Sequence, residues 1–169
     1  MRPQTPSKTA GERVELRVEV GGKITVLVRA TAGPPNCPIC LVDTTTIDTP
    51  AGTKRVTDLH AGDLVWTPDA HGGRIVAPIL ETGSVEAPPG HEVLRLTLAD
   101  GRAVTASPGH LTADGRVLAD LAVGDALDGS TIVAVERLPY RGRTYDLLPA
   151  GPTGTYWAGG ILLGSTLRR

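Results

Sequence analysis

Cys40-Leu-Val-Asp-Thr-Thr-Thr-Ile-Asp-Thr-Pro-Ala-Gly52 runs, after three residues, into Val56-Thr-Asp-Leu-His-Ala-Gly-Asp-Leu-Val65. Stretches 44–47 and 64–67 are short, β-branched and apolar, and Gly, Pro and Asp bound them, which predicts strands joined by turns. The same reading predicts further strands at 75–80, 92–98, 103–106, 131–136 and 144–148. No window supports a helix of ten or more residues. The best helical pieces are 56–59 and 117–121. The fold class expected is therefore all-β.

The opening stretch has an echo. Thr49-Pro-Ala-Gly52 followed by Asp58-Leu59 and Gly62-Asp63 resembles Thr112-Ala-Asp-Gly115 followed by Asp120-Leu121 and Gly124-Asp125. Ile75-Val76-Ala77 and Ile132-Val133-Ala134 follow in the same order. Three elements recurring in order predict a duplicated β unit about a pseudo-two-fold axis. Upstream, Val14, Leu16, Val18 and Val20 alternate with polar residues, and Ile24, Val26 and Val28 alternate after Gly21-Gly22. This predicts a hairpin over 13–30, with a linker through Pro34-Pro35-Asn36. The expected organisation is a flanking segment 1–39, a domain 40–165 and a tail 166–169.

The chain has 169 residues, 40% hydrophobic and 21% charged, with a formal net charge of −1. No basic stripe points to nucleic acid. No apolar run reaches the roughly 18 residues that span a bilayer, and the N-terminus lacks the apolar segment of a signal peptide. A cytoplasmic monomer without nucleic-acid or membrane partners is expected.

Cys37-Pro38-Ile39-Cys40 is open to several readings. Zinc wants four ligands, and the chain has no other cysteine and no closely spaced histidine pair among His60, His71, His91 and His110. A thioredoxin-type pair wants a βαβ context that is missing here. A buried structural cysteine, or one catalytic thiol, remains. No metal or other cofactor is expected, and Asp63 and Asp125 read as turn formers.

Four blocks in order narrow this. The Cys40–Val65 stretch resembles the opening block of Hint domains, the family of inteins and hedgehog-type autoprocessing domains. Val104-Thr-Ala-Ser107-Pro-Gly-His110 resembles that family's TxxH block, with Ser107 where Thr is usual. Arg143-Thr-Tyr145-Asp146-Leu147 resembles the block that carries its Asp, and Tyr156-Trp-Ala-Gly-Gly-Ile-Leu-Leu163 its last strand. The resemblance implies a horseshoe of short strands, with Cys40 as nucleophile on the Ile39–Cys40 bond. It implies an N-to-S acyl shift that gives a thioester. A peptide bond is a poor electrophile, so the leaving nitrogen must gain a proton and the oxyanion must be held. His110 suits the proton donor, Ser107 the oxyanion or scissile peptide, and Asp146 an auxiliary role. His60, His71 and His91 read as turn residues without a role.

Inteins end in His-Asn before a Cys, Ser or Thr. Here Gly164-Ser165-Thr166 stands in that place, and Asn36 is the last asparagine. Asparagine cyclisation near the C-terminus is therefore unavailable, and cleavage without splicing is expected. The substrate would be the chain's own N-terminal flanking polypeptide, and water or a small thiol would accept the acyl group. A Cys37–Cys40 disulfide would consume the nucleophile, making Cys37 a candidate redox gate. The rival reading is a degenerate Hint scaffold that serves as a binding or linker module.

Overall fold

The computed structural model describes residues 12–18, 21, 24–31 and 41–167. Two units divide between Asn36 and Cys37. In the first, β1 (Glu12–Val18) and β2 (Ile24–Thr31) form an antiparallel pair with a register shift between Glu15 and Leu16. Both strands lie in the region of the hairpin expected over 13–30. Cys37, Ile39 and Cys40 lie outside the described residues.

The second unit is almost entirely β. Its strands are β3 (Leu41–Val42), β4 (Thr46–Thr49), β5 (Gly52–Arg55), β6 (Leu64–Pro68), β7 (Arg74–Glu86), β8 (Glu92–Leu98), β9 (Ala103–Ala106), β10 (Leu111–Thr112), β11 (Ala126–Leu127), β12 (Ser130–Pro139), β13 (Arg143–Pro149), β14 (Thr155–Ala158) and β15 (Ile161–Gly164). One sheet has the order β10-β15-β14-β4-β5 and the other β11-β12-β8-β9-β3-β13-β7-β6. The helical pieces expected at 56–59 and 117–121 are single 3₁₀ turns, Val56–Asp58 and Leu118–Asp120. Among the described residues no helix is long and apolar enough to cross a membrane.

Alternation along the strands builds the core. Leu94, Leu96 and Leu98 on β8, Val104 and Ala106 on β9, and Leu41 on β3 are all buried and join one cluster with Ile47, Ile79, Ile132, Leu147, Tyr156, Ile161 and Leu163. Each large aliphatic removed from water contributes about 1.5–3 kcal/mol. A second contact ties the sheets at their edge. The Arg74 guanidinium on β7 lies 4.9 Å from the Trp66 ring centroid on β6 and 4.7 Å from that of Trp157 on β14. Its Nη2 also donates to Asp48 Oδ2 on β4 at 2.7 Å.

The duplication is visible bond by bond. The N–H groups of His60 and Ala122 each donate to the carboxylate three residues on, Asp63 and Asp125, both at 2.8 Å. Gly62 N–H donates to the Ile79 carbonyl at 2.8 Å and Ile79 N–H to the Asp63 carbonyl at 2.8 Å. Gly124, Ile132 and Asp125 repeat this exchange at 2.9 Å in both directions. The partner of Ile132 is thus Ile79, not Ile75 as the sequence repeat implied. The β6–β7 hairpin pairs from Leu64↔Pro78 to Pro68↔Arg74, whereas β11 and β12 meet only at Ala126↔Thr131 and Leu127↔Ser130. The second copy closes at once through Asp128 (φ 46) and Gly129 (φ 77), the two left-handed residues of a type I′ turn. Beyond these hairpins the long strands cross over: β7 continues against β13, and β12 against β8.

Candidate functional site

Ser107 and His110 sit at the two ends of one tight turn between β9 and β10. His110 N–H donates to the Ser107 carbonyl at 3.0 Å. Pro108 presets the first central position of such a turn, and Gly109 occupies the second. The turn is pinned from outside by Ala119 N–H on the Pro108 carbonyl at 2.8 Å and Leu118 N–H on the His110 carbonyl at 2.9 Å. Local sequence chemistry therefore fixes where both side chains start.

Their surroundings differ. His110 is fully buried, and neither ring nitrogen has a hydrogen-bond partner among the described residues. Buried polar atoms are nearly always paired, so a buried ring with two open nitrogens marks a place built for something other than stability. Burial pushes the His110 pKa down, and the charge of Asp146 opposes that shift only in part. The ring is neutral at pH 7. Ser107, 3% exposed, is 2.9 Å through Oγ from His91 Nε2. Burial also lowers the His91 pKa.

Asp146, on β13 and 1% exposed, is a saturated acceptor. Oδ1 takes the Tyr156 hydroxyl at 2.5 Å and Leu147 N–H at 2.7 Å. Oδ2 takes Thr166 N–H at 2.6 Å and the Thr166 hydroxyl at 2.5 Å. Ser165 is buried, and its Oγ accepts from Leu167 N–H at 3.1 Å. Thr166, expected in the tail, is thus held by the same carboxylate whose field reaches His110.

The three described candidates come together, and the sheet register explains how. Leu41 pairs with Ala106 on one side and with Tyr145 on the other. These residues directly precede Ser107 and Asp146. His91, read as a turn residue without a role, does close a turn on the Pro88 carbonyl, and its Nε2 also contacts Ser107 Oγ across 16 positions. His60 and His71 lie in exposed turns away from this cluster. Asp63 and Asp125 serve turns, and no three metal-ligating side chains gather among the described residues.

Sheet order, the crossed long strands and the paired halves define the intein-type Hint fold. Among solved structures, a bacterial intein-like domain from Clostridium thermocellum has TM-score 0.63 and 21% identity, over 75% of this chain and 98% of that one. A mini-intein variant of Ssp DnaB has TM-score 0.64 and 16% identity, over 77% and 95%. A DnaB intein from Synechocystis sp. has TM-score 0.61 and 19% identity, over 75% and 97%. No family model and no curated protein matches the sequence.

Proposed function

We propose that this domain breaks the Ile39–Cys40 bond of its own chain through a thioester. Cys40 Sγ attacks the Ile39 carbonyl carbon, and neutral His110 takes the thiol proton. The Ser107 hydroxyl holds the oxyanion. On collapse the C–N bond breaks and His110 passes its proton to the leaving nitrogen. The product is an Ile39 thioester on Cys40 with a free α-amine. Water or a small thiol then releases residues 1–39 and restores the Cys40 thiol. Cys37 acts as a redox gate, since a Cys37–Cys40 disulfide removes the nucleophile and reduction returns it.

The observation that carries this reading is His110: buried, neutral and with both nitrogens open, on the same turn as Ser107. The β3 register supports it, because the residue after Cys40 pairs with the residues before Ser107 and Asp146. The Thr166–Asp146 hydrogen bond favours a second acceptor. Asp146 takes the hydroxyl proton as Thr166 Oγ1 attacks the thioester and the C–S bond breaks, giving an Ile39 ester and a Cys40 thiolate that recovers the proton to become the thiol. With no asparagine after Asn36 the ester has no cyclisation to resolve it and is hydrolysed.

Intact mass against time tests this, with and without dithiothreitol, beside Cys40→Ala. Loss of residues 1–39, faster with thiol and absent in the variant, is the expected result. An unchanged mass in every sample would overturn it in favour of the non-processing scaffold.

A further inference from the structure

A serine hydroxyl that holds an oxyanion must keep its single proton for that purpose. Ser107 is poorly equipped to do so alone. It lacks the γ-methyl that stiffens χ1 in threonine, so its hydroxyl has three staggered directions to choose from. It is also buried, so solvent cannot fix the choice. Among the described residues, the group hydrogen-bonded to it is His91 Nε2, at 2.9 Å. The two possible senses of this bond have opposite consequences. If Ser107 donates to a bare Nε2, its lone pairs alone face the reaction, and they repel an oxyanion. If Nε2 carries the proton and donates to Oγ, the Ser107 O–H stays available and is polarised by the bond behind it.

His91 is built to hold a position. Its N–H donates to the Pro88 carbonyl at 3.0 Å, and its carbonyl accepts Tyr140 N–H at 2.9 Å. The Tyr140 hydroxyl is tied in turn to the Arg143 carbonyl at 2.7 Å. The backbone of His91 is thereby fastened both to its own turn and to the segment between β12 and β13. The preceding Gly90, at φ 79, supplies the left-handed residue this turn requires. Burial keeps the ring neutral, so it has one proton to place.

We propose that His91 is a positioning residue of the processing site, donating from Nε2 to Ser107 Oγ so that the Ser107 hydroxyl points its proton at the developing oxyanion. This rests on the processing reading above. It adds a residue outside the four matched blocks, and it accounts for how a serine does the work of a branched side chain at position 107.

The test is a double-mutant cycle on full-length protein, with the rate of loss of residues 1–39 read by intact mass. His91→Phe keeps a ring and removes the donor; it is expected to slow cleavage about tenfold, the worth of one hydrogen bond. Ser107→Ala slows it at least as much. Adding His91→Phe to Ser107→Ala slows it no further, because the effect passes through Ser107. His91→Gln, which returns an N–H donor, recovers most of the rate. Multiplying effects, or an unchanged rate in His91→Phe, would overturn the proposal. A second readout needs no cleavage: imidazole nitrogen NMR of the Cys40→Ala protein. A proton on His91 Nε2 whose exchange protection falls in Ser107→Ala is expected. A proton on Nδ1 instead would overturn the proposal. A wild type that never cleaves defeats the processing reading, while the NMR result still decides the hydrogen bond.

Discussion

Asp146→Asn, made in a Cys40→Ala background so that the chain stays intact, is the sharpest probe of the buried carboxylate. Four donors converge on two oxygens: the Tyr156 hydroxyl and Leu147 N–H on Oδ1, Thr166 N–H and hydroxyl on Oδ2. An amide must put its NH₂ on one side. The hydroxyl on that side can reverse and accept, but the backbone N–H cannot. Either placement therefore orphans one backbone donor, buried Leu147 N–H or half-buried Thr166 N–H, at about 1–3 kcal/mol. The other bonds lose their charge assistance, about 0.5–1 kcal/mol each. The sum is about 2.5–6 kcal/mol, which corresponds to roughly 8–24 °C in Tm for a domain of this size. Tyr156→Phe removes one donor and leaves the rest, so it costs about half as much. Calorimetry of the three proteins at pH 7 gives the order directly. A Tm drop below about 3 °C for Asp146→Asn, or a larger one for Tyr156→Phe, would refute this account of the carboxylate.

Other expectations follow from the same geometry. His110 has a folded pKa below the ordinary 6.5, so below about pH 6.5 the unfolded chain binds more protons and stability falls as pH falls. The acid slope of Tm should be shallower in Cys40→Ala/His110→Gln than in Cys40→Ala, and equal slopes would contradict it. On the proposed mechanism, in which neutral His110 acts first as a base, cleavage should rise with pH through the acid range; a rate that falls instead would make imidazolium the working form. Gly159→Ala should cost about 1–3 kcal/mol more than Gly129→Ala by denaturant unfolding. Both have positive φ, but a Cβ at Gly159 meets the Ala103 carbonyl oxygen at 2.3 Å and one at Gly129 meets nothing within 4 Å. Arg74→Ala should lose about 1–2 kcal/mol through two cation–π contacts, and Arg74→Lys should recover less than half of it, since a planar guanidinium stacks where an ammonium does not.

Local chemistry made much of the fold legible before any coordinates. Gly62-Asp63 and Gly124-Asp125 announce their turns because an Asp carboxylate and a left-handed Gly do the turning themselves. Ser107 and His110 share a four-residue turn, so their neighbourhood is written in consecutive residues. The hold of Tyr156 and Thr166 on Asp146 is not, because it depends on how β13, β14 and β15 pack. Ten and twenty positions separate those partners, and nothing in Thr166 itself points to them. The contact of His91 with Ser107 escaped for the same reason. A histidine after Pro-Pro-Gly looks like any turn residue until the far end of β9 brings Ser107 to it. The Ile75 misalignment has a different origin: a repeat read by composition cannot sense that one copy has a longer hairpin than the other.

The crossed strands also set a clock. The stretch of β7 from Ile79 to Glu86 pairs with β13, β10 pairs with β15, and Asp146 takes its last donors from Thr166. A chain emerging from the ribosome cannot close either sheet until those late residues have been made, and pairings this distant in sequence form slowly. Chemistry that waits for a closed Ser107–His110–Asp146 neighbourhood would thus wait for nearly all of translation. Whatever lies upstream of Cys40 would be fully synthesised, and free to fold, long before the bond behind it came under attack.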